Sequence, residues 1–162
     1  MTNELDRLTA EYLEAQLGGD TGVAPRLFTV GYGGRQPGEL TALLSARGVK
    51  TVVDVRLRPD RAAMGVYAKA KSAEKGIEKL FRGAGLGYIS LVESGNLFVD
   101  LDDWESRYGR LLDAGGELLV ERLLDLPTSI CLLCCEKDPM QCHRRLIADY
   151  LARRGWTGEH IL

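Results

Sequence analysis

No apolar run in this 162-residue sequence approaches the roughly 18 to 20 residues that a bilayer-spanning helix needs, so a membrane protein of that kind is excluded. Positive charge is not in excess either. Lys and Arg number 21 against 23 Asp and Glu, a net charge of −2, and no overall basic field announces a nucleic-acid partner. Arginines nevertheless gather in two segments, Arg56, Arg58 and Arg61, then Arg144, Arg145, Arg153 and Arg154, which leaves room for a local basic patch. No cysteine precedes residue 131, and the four present crowd into twelve residues, where they cannot staple a fold of this size. The first 20 residues are acidic and polar, unlike a secretory leader. Together these absences predict reduced thiols and a cytoplasmic location. Neither an internal repeat nor a low-complexity segment is present.

What is there reads as one ordinary globular domain, 45% hydrophobic and 27% charged. Residues 2–17 place Leu5, Leu8, Tyr12, Leu13 and Leu17 at helical spacing, and Gly18 to Pro25 read as a loop. Residues 1–25 are therefore expected to be a helical appendage, with an α/β domain over 26–162. A short strand, Leu27 to Val30, ends at Gly31-Tyr32-Gly33-Gly34, and Pro37 and Glu39 suit the start of a helix that Gly48 stops. Thr51-Val52-Val53 and Val55 form the next, β-branched strand, which makes a βαβ unit with parallel pairing of its two strands and a right-handed crossover. Further on, the pattern predicts a helix within 69–84, a strand at 86–91, two helices at 104–112 and 117–124, and a strand at Ile130-Cys131-Leu132-Leu133. A helix over 139–154 and a strand near His160-Ile161 follow. The expectation is a single three-layer domain with a mostly parallel sheet of about four or five strands, flanked by helices.

The segment Cys134-Cys135-Glu136-Lys137-Asp138-Pro139-Met140-Gln141-Cys142-His143-Arg144-Arg145 leaves the carboxyl end of a buried strand and enters a helix, where open α/β sheets bind ligands. A helix starting at Pro139, capped by Asp138, would put Cys142, His143 and Arg144 in its first turn. That turn is an anion site by its free N–H groups and dipole, with Arg144 adding a bidentate donor. In the bland reading, Asp138 is only a cap, His143 and Arg144 are surface residues, and Glu136 pairs with Arg144 to lock the loop. Asp54 and Arg56 share a strand face and emerge at the same edge as Gly31 and Glu136. They form either a loop-closing ion pair or part of a phosphate site.

Three chemistries fail on spacing. Cys131 and Cys134 spell C-x-x-C, but side chains three apart on a strand point to opposite faces and cannot share an ion or a disulfide. Cys142 and His143 would serve a metal only with one strand cysteine and a fourth ligand that the pattern does not show, so no metal is assigned. A phosphate-loop cysteine enzyme needs arginine six positions after its nucleophile, where Cys134 has Met140 and Cys135 has Gln141. The rhodanese-like Asp54-Val55-Arg56 does not repair this. The glycines at 31, 33 and 34 lack the third position of a dinucleotide fingerprint, so no nicotinamide or flavin cofactor is expected.

With these residues assembled, the chain resembles the domain of unknown function 488 family. The matching motifs are Thr29-Val30-Gly31-Tyr32-Gly33-Gly34-Arg35, Val53-Asp54-Val55-Arg56 with Pro59, and Glu93 with Gly95-Asn96. To these add Leu133 to Pro139 with Cys142-His143-Arg144, and His160-Ile161 near the end. The resemblance runs from about residue 27 onward and departs from the family pattern in having cysteine at 135, where alanine is usual, and Asp60 where a serine is usual nearby. It implies an α/β fold with a polar pocket at one sheet edge and no particular reaction.

The functional expectation is a hydrolase-like enzyme acting on a phosphate-bearing substrate such as a nucleotide or a nucleic-acid end. Glu136, His143, Asp54 and Cys134 are its catalytic candidates, and Gly31, Tyr32, Arg56, Cys142 and Arg144 its binding residues. The alternative is a non-catalytic nucleotide or nucleic-acid binding module using the same arginine-lined pocket. Oligomeric state has no signature in the sequence.

Overall fold

A computed structural model describes residues 24–162; the expected leading helix at 2–17 lies outside them. Five strands form one sheet, with every pair parallel: β1 (Arg26–Gly31), β2 (Thr51–Asp54), β3 (Gly87–Ser90), β4 (Ile130–Cys134) and β5 (Thr157–Ile161), in the order β3-β2-β4-β1-β5. Four α-helices connect them: α1 (Pro37–Ala46), α2 (Gly76–Gly83), α3 (Trp104–Leu124) and α4 (Arg144–Ala152). The expected three-layer α/β architecture is what the chain builds.

The layers follow from period-2 alternation along each strand. Phe28, Val30, Val52, Cys131 and Leu133 pack with Leu40 and Leu44 of α1 and with Ile77 and Phe81 of α2. Leu27, Val53, Ile130 and Leu132 face the other way, onto Leu112 and Val120 of α3 and Ile147 and Leu151 of α4. The chain walks one way through the sheet from β1 to β3 and then returns, and right-handed crossovers then put the first two helices on one face and the last two on the other. All five residues of β4 are buried, as its near-continuous apolar run requires for a central strand.

Four sequence expectations change in detail. β1 and β2 are parallel members of one sheet but are not neighbours, because β4 inserts between them and pairs with both; a βαβ pattern fixes direction, not adjacency. The helices expected at 104–112 and 117–124 are one continuous α3 through Gly115-Gly116. Gly116 lies against the Tyr150 ring, where a β-carbon would sit 2.5 Å from Cε2, so that glycine is a packing requirement between α3 and α4. The helix expected within 69–84 is only Gly76–Gly83, preceded by a single 3₁₀ turn at Gly65–Tyr67. Lastly, Asp138 does cap at Met140 N (2.9 Å), but it starts only a 3₁₀ turn, Pro139–Gln141. Cys142 is extended, at φ −136°, and α4 begins at Arg144.

Candidate functional site

At the carboxyl edge, β4 stands between β1 and β2, whose chains leave toward the face of α1 and α2, while its own chain leaves toward α4. This is a topological switch point, the place where open α/β sheets form a crevice. Three segments meet there: Gly31 to Gln36, Asp54 to Arg56, and Cys134 to Lys137.

The first and third segments are joined through backbone. Tyr32 N donates to Cys134 O (3.1 Å) and Gly33 N to Cys135 O (2.9 Å). A β-carbon on Gly31 would lie 1.8 Å from Glu136 O, so only glycine fits there. Arg144 clamps the same loop from beneath. Its side chain is 0% exposed; Nη1 donates to Glu136 O, Nη2 to Lys137 O (3.0 Å) and Nε to Thr29 Oγ1 (3.3 Å). Among the described residues this buried guanidinium faces neutral acceptors only. Thr29 Oγ1 in turn hydrogen-bonds His160 Nδ1 (2.7 Å), which ties β1 to β5.

Asp54 and Arg56 are closed on each other. Arg56 Nε and Nη2 reach the two Asp54 oxygens at 2.8 and 2.6 Å, and Tyr88 OH donates to Oδ2 at 2.7 Å. Arg56 Nη1 donates to Tyr32 OH (3.3 Å), and its guanidinium lies 5.1 Å from the Tyr32 ring centre. Burial alone would lower the Arg56 pKa, but hydrogen bonding and charge from Asp54 outweigh it and hold the guanidinium protonated. This buried pair carries the second strand's end into its loop.

Cys134, Cys142 and His143 converge. The two sulfurs and one ring nitrogen lie within 4.8 Å of one another, and all three residues are buried. His143 Nε2 donates to Val55 O (2.8 Å), so Nδ1 is the nitrogen facing Cys142 Sγ, 3.8 Å away. Cys134 Sγ donates to Glu136 Oε2 (3.4 Å). The hydrogen bond between the two thiols lowers the Cys142 pKa and raises that of Cys134, so any thiolate charge belongs on Cys142. Burial first, and Cys142 second, push the Glu136 carboxyl up. Cys131 points to the opposite face, into the layer of α1 and α2.

A cavity of about 340 Å³ opens on the other side of the crevice, lined among others by Tyr32, Arg35, Gln36, Met64, Tyr67 and Cys135. Tyr32 and Tyr67 stack with ring centres 4.6 Å apart. Burial, then the hydrogen bond with Cys135, push the Tyr32 phenol up to about 12. Arg35 is 3% exposed; Nε donates to Gly31 O (2.9 Å) and Nη1 to Glu39 Oε1 (3.3 Å), while Nη2 has no partner among the described residues. The cavity also adjoins the start of α1, where Gln36 supplies no side-chain cap and the Gly38 and Glu39 N–H groups are free of helical partners.

Of the candidates read from sequence, Cys134, Glu136, Cys142, His143 and Arg144 thus gather at the end of β4, and Asp54 with Arg56 at the end of β2. Gly31 forms the contact between loops, and Tyr32 alone among them lines the cavity. Arg35, Tyr67 and exposed Cys135 were not singled out as binding residues. Arg35 stood within the quoted glycine motif, so its position was readable, but Tyr67 lies in a segment whose pattern carried no signal. Among the described residues no helix is long and apolar enough to cross a membrane.

Comparison with known proteins agrees with the motifs that fall within residues 36–151; Thr29 to Arg35 and His160-Ile161 lie outside the match. No curated protein and no solved structure matches the chain. The model of one family, Domain of unknown function DUF488, matches residues 36–151, more than half of the sequence and including both the Asp54-Val55-Arg56 segment and the Cys134 to Arg144 segment. The chain is a member of the DUF488 family.

Proposed function

We propose that this protein is an enzyme acting on a phosphate-bearing substrate, a nucleotide or nucleic-acid end, bound in the cavity beside the start of α1. The observation that carries the reading is Arg35, a residue lining that cavity whose buried Nη2 has no partner among the described residues. An unpaired buried donor is costly, and an anion that accepts from it removes the cost. The uncapped start of α1 and Gly34, at φ +71°, supply further N–H groups suited to phosphate oxygens. The stacked Tyr32 and Tyr67 give the apolar wall that a base or sugar would need. At about 340 Å³, the cavity falls at the small end of ligand sites, in the range of a mononucleotide rather than a longer chain.

In this reading Arg56 and Arg144 position the loops, and Arg35 is the direct phosphate donor. Glu136, which follows the cavity residue Cys135 and forms no ion pair among the described residues, is the acid–base group; a hydrolytic reaction is the class that such a pairing serves. The deep burial of Cys134, Cys142 and His143 favours a second reading, a nucleotide-binding module without turnover. A thermal-shift screen of nucleotides and short oligonucleotides tests both. The expected result is stabilisation by one nucleotide class in the parent and none in Arg35→Lys, which keeps the charge but lacks the second guanidinium nitrogen. Turnover of that ligand, lost in Glu136→Gln with binding retained, supports the enzyme; binding without turnover supports the module. No ligand effect in the parent overturns both.

A further inference from the structure

We infer that Cys134, Cys142 and His143 form a binding site for a zinc-class divalent ion. The inference goes beyond the phosphate reading and does not rest on it: the residues lining the Arg35 cavity and the three proposed ligands are different, and Glu136, which belongs to the phosphate reading, is not one of those ligands.

Two sulfurs and an imidazole nitrogen are borderline-soft ligands, the combination that zinc takes in three-protein-ligand sites. Their three atoms lie within 4.8 Å of one another, and Cys142 Sγ to His143 Nδ1 is 3.8 Å. Zinc bonds of about 2.0–2.3 Å in tetrahedral array give ligand-to-ligand edges of roughly 3.3–3.8 Å. One edge is already at that length, and the others close with side-chain shifts of an ångström or less.

The surroundings are those of a ligating imidazole. Metal-bound histidine usually gives its other ring N–H to a carbonyl or carboxylate, which fixes the tautomer. His143 Nε2 does this to Val55 O at 2.8 Å, leaving Nδ1 turned to the sulfurs. Tyr108 holds the ring from the side, edge-on at 5.1 Å. The backbone serves the cluster too: the extended conformation at Cys142 interrupts what would otherwise be one helix from Pro139. An uninterrupted helix would need no such break, whereas presenting adjacent Cys142 and His143 to the end of β4 does.

Charge balance agrees. Two thiolates cancel a divalent ion. Glu136, 3.4 Å from Cys134 Sγ, then leaves one negative charge beside the loop that Arg144 clamps, and Arg144 is a fully buried cation whose own partners are all neutral. Three protein donors leave a fourth position for water. A hydrogen-bonded cluster of two thiols and an imidazole would account for the sulfurs and the ring, but not for the uncompensated guanidinium.

The test uses the full chain, kept reduced, stripped with a chelator and titrated with cobalt(II) and then zinc. One equivalent of cobalt should give thiolate-to-metal charge transfer and the intense d–d bands of a four-coordinate ion, displaced by zinc. Cys142→Ser and His143→Gln should lose these bands, and Cys131→Ser and Cys135→Ser should keep them. Because Cys142→Ser could also unfold, the parent supplies a second readout: bound zinc should block alkylation of Cys134 and Cys142, located by mass spectrometry, while Cys135 reacts as before. A folded parent with four free thiols and no such cobalt spectrum overturns the inference, as do bands that survive in Cys142→Ser.

Discussion

Replacing Gly31 by alanine should damage this protein far more than its backbone conformation implies. Gly31 is not among the glycines at positive φ, and alanine would be acceptable there in isolation. Yet the added methyl would sit 1.8 Å from Glu136 O, 2.4 Å from its carbonyl carbon and 2.8 Å from Lys137 Cα, all backbone atoms that cannot swing aside. The loops must separate, and three hydrogen bonds go with them: Tyr32 to Cys134 O, Gly33 to Cys135 O, and Arg144 to Glu136 O. Overpacking typically costs about 1–3 kcal/mol, and each lost bond adds about 1 kcal/mol, more where a buried donor is stranded. A loss of at least about 3 kcal/mol is therefore expected. Gly34→Ala is the control. Its φ is +71° but nothing lies within 4 Å, so only left-handed strain applies, about 1–2 kcal/mol. Chemical denaturation of the parent and both variants measures the difference. If Gly31→Ala is no less stable than Gly34→Ala, the close joining of the two loops is refuted.

Other outcomes follow from the same contacts. Asp54→Ala strands the buried Arg56 guanidinium and should cost about 3–5 kcal/mol in denaturant unfolding; a change under about 1 kcal/mol would mean that the pair is not sealed. Gly116→Ala, whose methyl would meet the Tyr150 ring at 2.5 Å, should destabilise by about 1–3 kcal/mol. Gly115→Ala, with open space around it, should instead stabilise the helix by up to about 1 kcal/mol. Burial first, then the Arg144 charge, hold the His160 pKa below its ordinary 6.5. The folded state therefore resists a proton that the unfolded state accepts: this contribution to stability is complete above pH 6.5 and is lost as pH falls through the folded midpoint. An NMR titration should place His160 below 6.5, and a midpoint at or above that value would contradict the Thr29 and Arg144 environment.

The fold was largely legible because its signals are local. β-branched Thr51 to Val55, the apolar run at 130–133 and the glycine-terminated first helix each specify an element from neighbouring residues. Strand order was not, since nothing in β1 or β2 records that β4 will lie between them. Gly115-Gly116 read as a break because glycine weakens isolated helices, whereas the reason for Gly116 is the Tyr150 ring on another helix. The site divides in the same way. Its polar motifs were visible at the strand ends, but the commitment of Arg144 to backbone carbonyls and of Arg56 to Asp54 depends on three-dimensional partners. So does the position of Arg35, whose unpartnered nitrogen is a property of its surroundings and not of its neighbours in sequence.

The most direct measurement is an amide and guanidinium NMR titration of the full chain with inorganic phosphate and with a nucleoside monophosphate. Saturable shifts confined to Gly33, Gly34, Gly38, Glu39 and the Arg35 side chain, tighter for the nucleotide and absent in Arg35→Lys, are the expected result. Shifts spread over exposed lysines, or a response unchanged in Arg35→Lys, would contradict an anion site at the start of α1.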